Sequence, residues 1–301
     1  MDVSVIIVNY NTKELTKNCI DSIFAQTSGV TFEVILVDNA STDGSVELFK
    51  KDGRICFVES GCNLGFGKAN NLGFQYAEGK YLFLLNSDTI LLNNAIKLFF
   101  EKMESVGPEV GCMGCLLQDS NRQYVHSYAE LPKVSNMLGA LIWKQFFSFL
   151  GFAEWKMDAI ENRKPDSSFF QVEYVTGADL FMRRRIIEKC GLFDPDFFMY
   201  YEDSELQWRY TKQGSLSYIY DAPQIVHLEG HSSKKGSSKK RLIVFDGMLK
   251  YMSKTQNRWK VLVLRLLLLI KAPYMIRFLR FNTRESKDYI RIILGGHLSF
   301  M

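Results

Sequence analysis

The 301-residue sequence lacks several things, and each absence removes a class of function. There is no strong charge excess: the formal net charge is +4, too mild to imply nucleic acid as a partner. There is no apolar run of the roughly 20 residues that a spanning helix needs. Val261 to Ile270 is about half that, contains Arg265, and is followed closely by Lys271, Pro273, Arg277 and Arg280. No repeat of solenoid period is visible. No leader precedes Val3 to Val8, which already reads as core, so no signal peptide is expected. Six cysteines sit mostly in apolar context, and a reduced, cytosolic compartment is the expectation. Cys112-x-x-Cys115 lacks a second cysteine pair at zinc spacing, which argues against a metal site there.

Two phosphate motifs are also missing. The stretch Gly61 to Gly73 is rich in glycine, but a P-loop would need Gly at position 62 and Ser or Thr at 69, where Cys62 and Ala69 stand. The dinucleotide fingerprint fails as well, because Asn70 occupies the place of its third glycine. What remains is flexible backbone close to a ligand, with Asn63, Lys68 and Asn70 as hydrogen-bonding groups.

What is present is ordinary globular composition, 47% hydrophobic and 23% charged, enough for one large domain or one plus an appendage. The centre of the chain is Tyr81 to Asp88. Five apolar residues in a row fit a strand buried on both faces of a sheet, and they run into Asn86, Ser87 and Asp88. Ligands of open α/β sheets bind beyond the carboxyl ends of such strands. The plainer reading is a strand-to-helix turn, with Asn93 or Asn94 capping the next helix.

Strands are predicted at Ser4–Val8, Phe32–Val37, Ile55–Val58, 81–85, Val110–Leu117, Phe169–Val175 and Leu216–Tyr220, with helices between them. Thr12 is the expected N-cap of the first helix, and Val226-His227 follows the last strand. Residues 120–168 are aromatic-rich, with an apolar run from Met137 to Phe152; core, an acceptor-side flap and a membrane-touching element all fit. Glu202-Asp203 falls where a helix begins, a position the helix dipole favours for acidic residues whatever their function. From Ser232 the chain turns polar and basic. Lys254, Arg258 and Arg265 share one helical face and Leu262, Leu266 and Leu269 another, a pattern that fits an interfacial helix.

Seven spaced motifs within residues 1–232 resemble one family. They are Val5–Asn11, Val37–Ser45, Asn63–Gly73, Leu84–Asp88, Thr176–Ala178, Tyr201–Asp203 and His227. The chain is similar to family-2 nucleotide-sugar glycosyltransferases, and most similar to their rhamnosyltransferase-like branch. The resemblance implies an α/β GT-A fold, a Rossmann-like mixed sheet flanked by helices, over residues 1–235. Residues 236–301 would form a helical, membrane-associating extension. It implies that Asn9 and Asp38 hold the base and ribose, and that Asn63, Gly65, Lys68, Asn70 and Asn86 line the donor pocket. Gly177, Ala178, Trp208 and Arg209 would serve the sugar and acceptor. Asp88 and His227 would bind the metal, Mg²⁺ or Mn²⁺. Asp203 would be the catalytic base, with Glu202 beside it. Two departures stand out. Asn86 replaces the first Asp of the family's Asp-x-Asp, which removes one charge from the metal site. His231 falls where a small residue is usual.

The chemistry suits these groups. A departing nucleoside diphosphate gathers negative charge, which a divalent cation stabilises. A carboxylate can take the proton of the attacking hydroxyl, and attack from the face opposite the diphosphate inverts the anomeric centre. The expected activity is therefore inverting transfer from a nucleoside-diphosphate sugar, dTDP-rhamnose first, to a lipid-linked saccharide in surface-polysaccharide synthesis. The protein would work on the inner face of the plasma membrane, held there as a peripheral protein through residues 242–280. A UDP-hexose donor is the alternative, and a catalytically silent sugar-nucleotide-binding scaffold is a second one.

Overall fold

The computed structural model describes residues 1–139, 167–228 and 238–298. Most of the aromatic run, including Trp143 and Trp155, lies outside the described residues, as does His231. The chain divides into two compact units. The first takes described residues 1–130, 167–198 and 203–228; the second takes 131–139, 199–202 and 238–298. The second unit thus includes two stretches that the sequence placed in the first domain. Of these, 131–139 is held within its unit by Val134, whose amide donates to Gln256 Oε1 at 3.5 Å.

The first unit is built on an eight-stranded sheet in the order β3-β2-β1-β4-β10-β6-β11-β8. These strands are β1 (Val3–Asn9), β2 (Phe32–Asp38), β3 (Cys56–Glu59), β4 (Tyr81–Asn86), β6 (Val110–Gly114), β8 (Phe169–Val172), β10 (Asp179–Arg183) and β11 (Leu216–Tyr220). Strands β1 to β4 pair in parallel, whereas β10 runs antiparallel between β4 and β6, and β8 antiparallel to β11. The sheet is therefore mixed. Two small ribbons accompany it: β5 (Thr89–Leu91) with β12 (Ile225–His227), and β7 (Tyr128–Ala129) with β9 (Tyr174–Val175).

The unbroken apolar runs are explained by burial on both faces. Along β1 and β4, Val5, Ile7, Phe83 and Leu85 enter one core while Ile6, Leu82 and Leu84 enter the other. The first core is closed by α1 (Lys13–Gln26) and α4 (Ala95–Ser105) through Cys19, Ile20, Ile23, Ile96, Phe99 and Met103. The second is closed by α3 (Phe66–Phe74), α5 (Arg184–Cys190) and α6 (Glu202–Thr211) through Ala69, Ile186, Ile187, Leu206 and Tyr210. A short α2 (Ser45–Phe49) follows β2. Cys112 and Cys115 belong to opposite cores, and burial pushes the Cys112 thiol up to about 12. All six cysteines are free.

The second unit contains α7 (Ser238–Thr255), α8 (Arg258–Phe278) and α9 (Thr283–Ile293). Asn257 caps α8 by accepting from the Trp259 amide at 3.0 Å. A reciprocal pair of 2.9 Å bonds between Asn282 and Glu285 caps α9, satisfying two helix-end amides at once. Asp246 and Lys250, one turn apart on α7, form a buried 2.8 Å ion pair.

Candidate active site

Parallel strands deliver their last residues to one edge of the sheet, and register decides which residues meet. Asn9 lies opposite Asp38, and Asn86 lies beside Val8. Strand β10 runs the other way, so its first residue, Asp179, arrives at the same edge opposite Leu85.

Asn9 and Asp38 do meet, and the protein itself takes up the Asn9 amide. Its Nδ2 donates to Asp38 Oδ2 at 2.8 Å and Ser41 Oγ at 2.9 Å. Its Oδ1 accepts from Thr12 Oγ1 at 2.9 Å and Thr16 Oγ1 at 2.8 Å. All four hydrogen-bonding positions of the amide are engaged by the protein and the residue is buried, so Asn9 shapes the rim by holding Asp38 and Ser41. Thr12 is likewise not the side-chain cap of α1. Its hydroxyl faces Asn9, Thr16 and Ser87, and the Lys13 amide at the helix start donates to Asp43 Oδ2 at 2.8 Å instead. Asp38 keeps spare acceptor capacity beyond Asn9 and the Ser41 amide.

The glycine-rich stretch is packed against neighbouring chain. Asn39, which the sequence reading passed over, holds it: Oδ1 accepts from the Leu64 amide at 2.9 Å, and Nδ2 donates to Asn63 Oδ1 at 3.1 Å and to the Gly65 carbonyl at 3.3 Å. Gly65 has φ of +82°, and a Cβ there would stand 2.1 Å from the Phe198 carbonyl oxygen. Its glycine is required by that close approach of chain to chain, not by a ligand. Asn70 is buried and donates back to the Phe66 carbonyl at 3.0 Å within α3. Lys68 projects to solvent.

Beyond the end of β4, Asp88 and His227 come together. His227 Nε2 lies 3.2 Å from Asp88 Oδ1 and 3.5 Å from Asn86 Nδ2. The backbone fixes this meeting. Strands β5 and β12 pair His227 with Thr89, and the Leu228 amide donates to the Asp88 carbonyl at 2.9 Å. A carboxylate oxygen and an imidazole nitrogen held this close need a proton or a cation between them. Two cis ligands of one octahedral ion at about 2.1 Å would be about 3 Å apart, so the pair fits a divalent cation. Among the described residues no group of three His, Cys, Asp or Glu gathers around a common point, so the protein offers two such ligands and Asn86.

Asp203 is joined to this cluster through backbone. Its Oδ2 accepts from the Gly177 amide at 3.1 Å, and the next residue, Ala178, accepts at its carbonyl from the Asn86 amide at 2.9 Å. Oδ1 accepts from the Ser204 amide at 2.7 Å. Burial raises the Asp203 carboxyl above its ordinary value, against the pull of the Gly177 and Ser204 donors and of the charge of His126. Glu202 is buried at the first position of α6. Immediately before it, Tyr200 and Tyr201 hold φ of 71° and 69°, a conformation costly for residues with a Cβ.

Gln207, one turn after Asp203, was also missed. Its Oε1 accepts from the Val175 amide and from Ser217 Oγ, both at 2.8 Å, and its Nε2 donates to the Val175 carbonyl at 2.6 Å. No motif marks it; only its place one turn behind an acidic helix start could have drawn notice. Asp179 is fully buried, accepts from the Cys115 amide at 2.6 Å, and is pushed up to about 7 by burial. Arg209 is engaged by the protein itself. Its guanidinium pairs with both oxygens of Glu205 at 3.0 Å and donates to the carbonyls of Cys190, Gly191 and Leu192, tying down the loop after α5. Trp208 is half-buried, with Lys212 Nζ 5.6 Å from its ring.

An eight-stranded mixed sheet flanked by helices on both faces is the GT-A class of fold. Solved structures agree. A mannosyltransferase from Pyrobaculum calidifontis, in complex with GDP-Man and Mn²⁺, matches 97% of this chain and 86% of its own with a TM-score of 0.57 at 15% identity. GalNAc-T7 with UDP, GalNAc and Mn²⁺ matches 99% of this chain and 55% of its own with a TM-score of 0.64 at 15% identity. The model of the family described as "Glycosyl transferase family 2" matches residues 4–191, and the chain belongs to that family. Among curated relatives, a low-salt glycan biosynthesis hexosyltransferase of Haloferax volcanii is 26% identical over 70% of this chain and 62% of its own length. An N-acetylglucosaminyl-diphospho-decaprenol L-rhamnosyltransferase of Mycobacterium tuberculosis is 26% identical over 66% of this chain and 67% of its own. The match thus spans only about two thirds of either relative.

Proposed function

We propose that this chain is an inverting hexosyltransferase, moving a sugar from a nucleoside diphosphate to a hydroxyl of a lipid-linked saccharide. The observation that carries the reading is the 3.2 Å meeting of Asp88 and His227, joined through Asn86, Ala178 and Gly177 to the raised carboxyl of Asp203. Asp88 and His227 would hold a divalent cation, with the donor's phosphates completing its shell; when bound, it neutralises charge on the leaving diphosphate. An imidazole ligand tilts the preference from Mg²⁺ towards Mn²⁺.

Asp203 takes the acceptor proton. Burial makes it a stronger base than an exposed carboxylate, and the Gly177 and Ser204 amides fix its direction. Asp38, with acceptor capacity left, is the residue on the rim suited to the base or ribose. The donor is a dTDP-deoxyhexose such as dTDP-rhamnose, in keeping with the rhamnosyltransferase relative, or else a UDP-hexose. That relative's decaprenol-linked acceptor also supports a lipid-carried one here, used at the inner face of the plasma membrane with residues 242–280 against the lipid.

The test is donor turnover across UDP-, dTDP- and GDP-sugars with Mg²⁺ or Mn²⁺, with and without lipid-linked acceptor. Turnover that vanishes in Asp203→Asn while nucleotide still binds supports the proposal. Binding without turnover for every donor would instead identify a sugar-nucleotide-binding scaffold, the reading that Asn86 in place of an acid keeps open.

A further inference from the structure

Helix α8 presents two faces of the same chemistry to different surroundings. Val261, Leu264, Leu268 and Ala272 are buried. Trp259, Leu262, Leu266, Ile270, Tyr274 and Phe278 are exposed, with Ile270 at 76% and Phe278 at 67%. At 100° per residue these six fall within an arc of roughly 160°, opposite the buried four. Apolar side chains exposed in one continuous row mark a contact surface rather than ordinary scatter.

Arg265 stands in the same sequence run, and the sequence reading placed it on an exposed basic face. It is instead turned inward: its guanidinium donates to the carbonyls of Ile292 at 2.9 Å and Ile293 at 2.5 Å, and to Ser253 Oγ at 3.0 Å. Carbonyls at the last turn of a helix form the negative end of its dipole and attract a cation. With Arg265 so engaged, no charge interrupts the row between Leu262 and Tyr274, and the exposed Arg277 falls within the arc only at its end.

The surrounding charge selects the occupant. Residues 238–298 carry fourteen Lys and Arg against three Asp and Glu, and α8 itself carries no acid. Lys260 and Lys271 flank the row on one side and Arg258 on the other, where their stems can lie along it while their charges reach outward. Trp259 stands at the start of the row, Tyr274 and Phe278 at its end, and aliphatic residues lie between. A second copy of this chain would bring the same basic excess against itself. An anionic lipid surface offers apolar chains beneath negative headgroups, which matches both features. No described helix is long and apolar enough to cross a membrane.

We infer that α8 lies flat in the headgroup layer of an anionic membrane, inserting the row from Trp259 to Tyr274 with its basic flanks, and exposed Arg277 at the row's end, on the phosphates. This rests on the reading of residues 242–280 as the membrane-facing stretch, and names the face that makes the contact.

Sedimentation of the full chain with vesicles tests it, using phosphatidylcholine alone and phosphatidylcholine mixed with phosphatidylglycerol. The wild type should pellet with the mixed vesicles and be released by salt. Ile270→Asp, at a position too exposed to matter for folding, should weaken partition by about tenfold or more, and Lys271→Gln by about fivefold. Leu48→Asp, an exposed leucine elsewhere, should change nothing. Thermal melts and donor turnover in the same Ile270→Asp protein should match wild type. Equal pelleting of Ile270→Asp and wild type overturns the inference, as does a wild type that ignores vesicles and dimerises through this face in the ultracentrifuge. The vesicles contain no sugar acceptor, so loss of lipid binding and loss of catalysis are scored independently.

Discussion

Gln207 allows the sharpest energetic prediction. Its amide joins α6 to β9 and β11 at the place where the chain enters Thr176-Gly177. Replacing it with Ala strips three buried groups of the bonds it makes: the Val175 amide, the Val175 carbonyl and the Ser217 hydroxyl, of which Ser217 keeps Cys112 as a neighbour. At about 1–3 kcal/mol for each buried unsatisfied group, the unrelaxed sum is about 3–9 kcal/mol. Water entering the vacated space and rotation of Ser217 recover part of this, so about 3 kcal/mol is expected, against a total stability of about 5–15 kcal/mol. Gln207→Glu should be worse at neutral pH. It keeps the shape but turns a donor towards the Val175 and Asp203 carbonyls, at 2.6 and 3.2 Å, into an acceptor. Urea unfolding followed by circular dichroism measures both. A loss below about 1 kcal/mol for Gln207→Ala would refute the claim that this side chain carries the junction.

Other consequences can be checked separately. Asp179, pushed up to about 7 in the fold, titrates near 4 when unfolded, so the native state binds the extra proton between those values. Its contribution to stability therefore falls as pH rises through that window, by at most about 4 kcal/mol, and Asp179→Asn should flatten unfolding curves measured from pH 4 to 8. Gly65→Ala should lose at least about 2 kcal/mol in thermal or chemical unfolding, because both its φ and the Phe198 carbonyl forbid a Cβ. Asp88→Asn and His227→Ala should each weaken Mn²⁺ binding, read by water-proton relaxation in the presence of nucleoside diphosphate, by about tenfold or more. Unchanged affinity in both variants would remove the metal from this site.

Much of the scaffold was legible because buried strands and helix faces leave strong periodic signals. The runs 4–8, 32–37 and 81–85 are strands as read, since two-sided burial admits only apolar residues there. The edges were less legible. Phe169 to Val175 read as one strand but breaks at Glu173, because β8 pairs with β11 and β9 with β7. The site was legible only in outline. Spacing marked Asp88, His227 and Asp203, yet it could not say that the Asn9 amide is saturated by its neighbours or that Arg209 serves a loop. Those outcomes depend on partners distant in sequence, as with Asn39 and the Gly65 turn. A helical wheel likewise placed Arg265 correctly in angle but could not see the carbonyls of α9 that draw it in.

The pairing of Asn9 with Asp38, and of Val8 with Asn86, also governs how such a chain can diverge. An inserted residue within β1 or β4 would swap the two cores along that strand and carry its terminal side chain into the sheet. Viable change is therefore pushed into the segments past the strand ends and into interchangeable apolar choices behind them. That is how a polypeptide can superpose over 97% of its length on a mannosyltransferase with which it shares 15% of its residues.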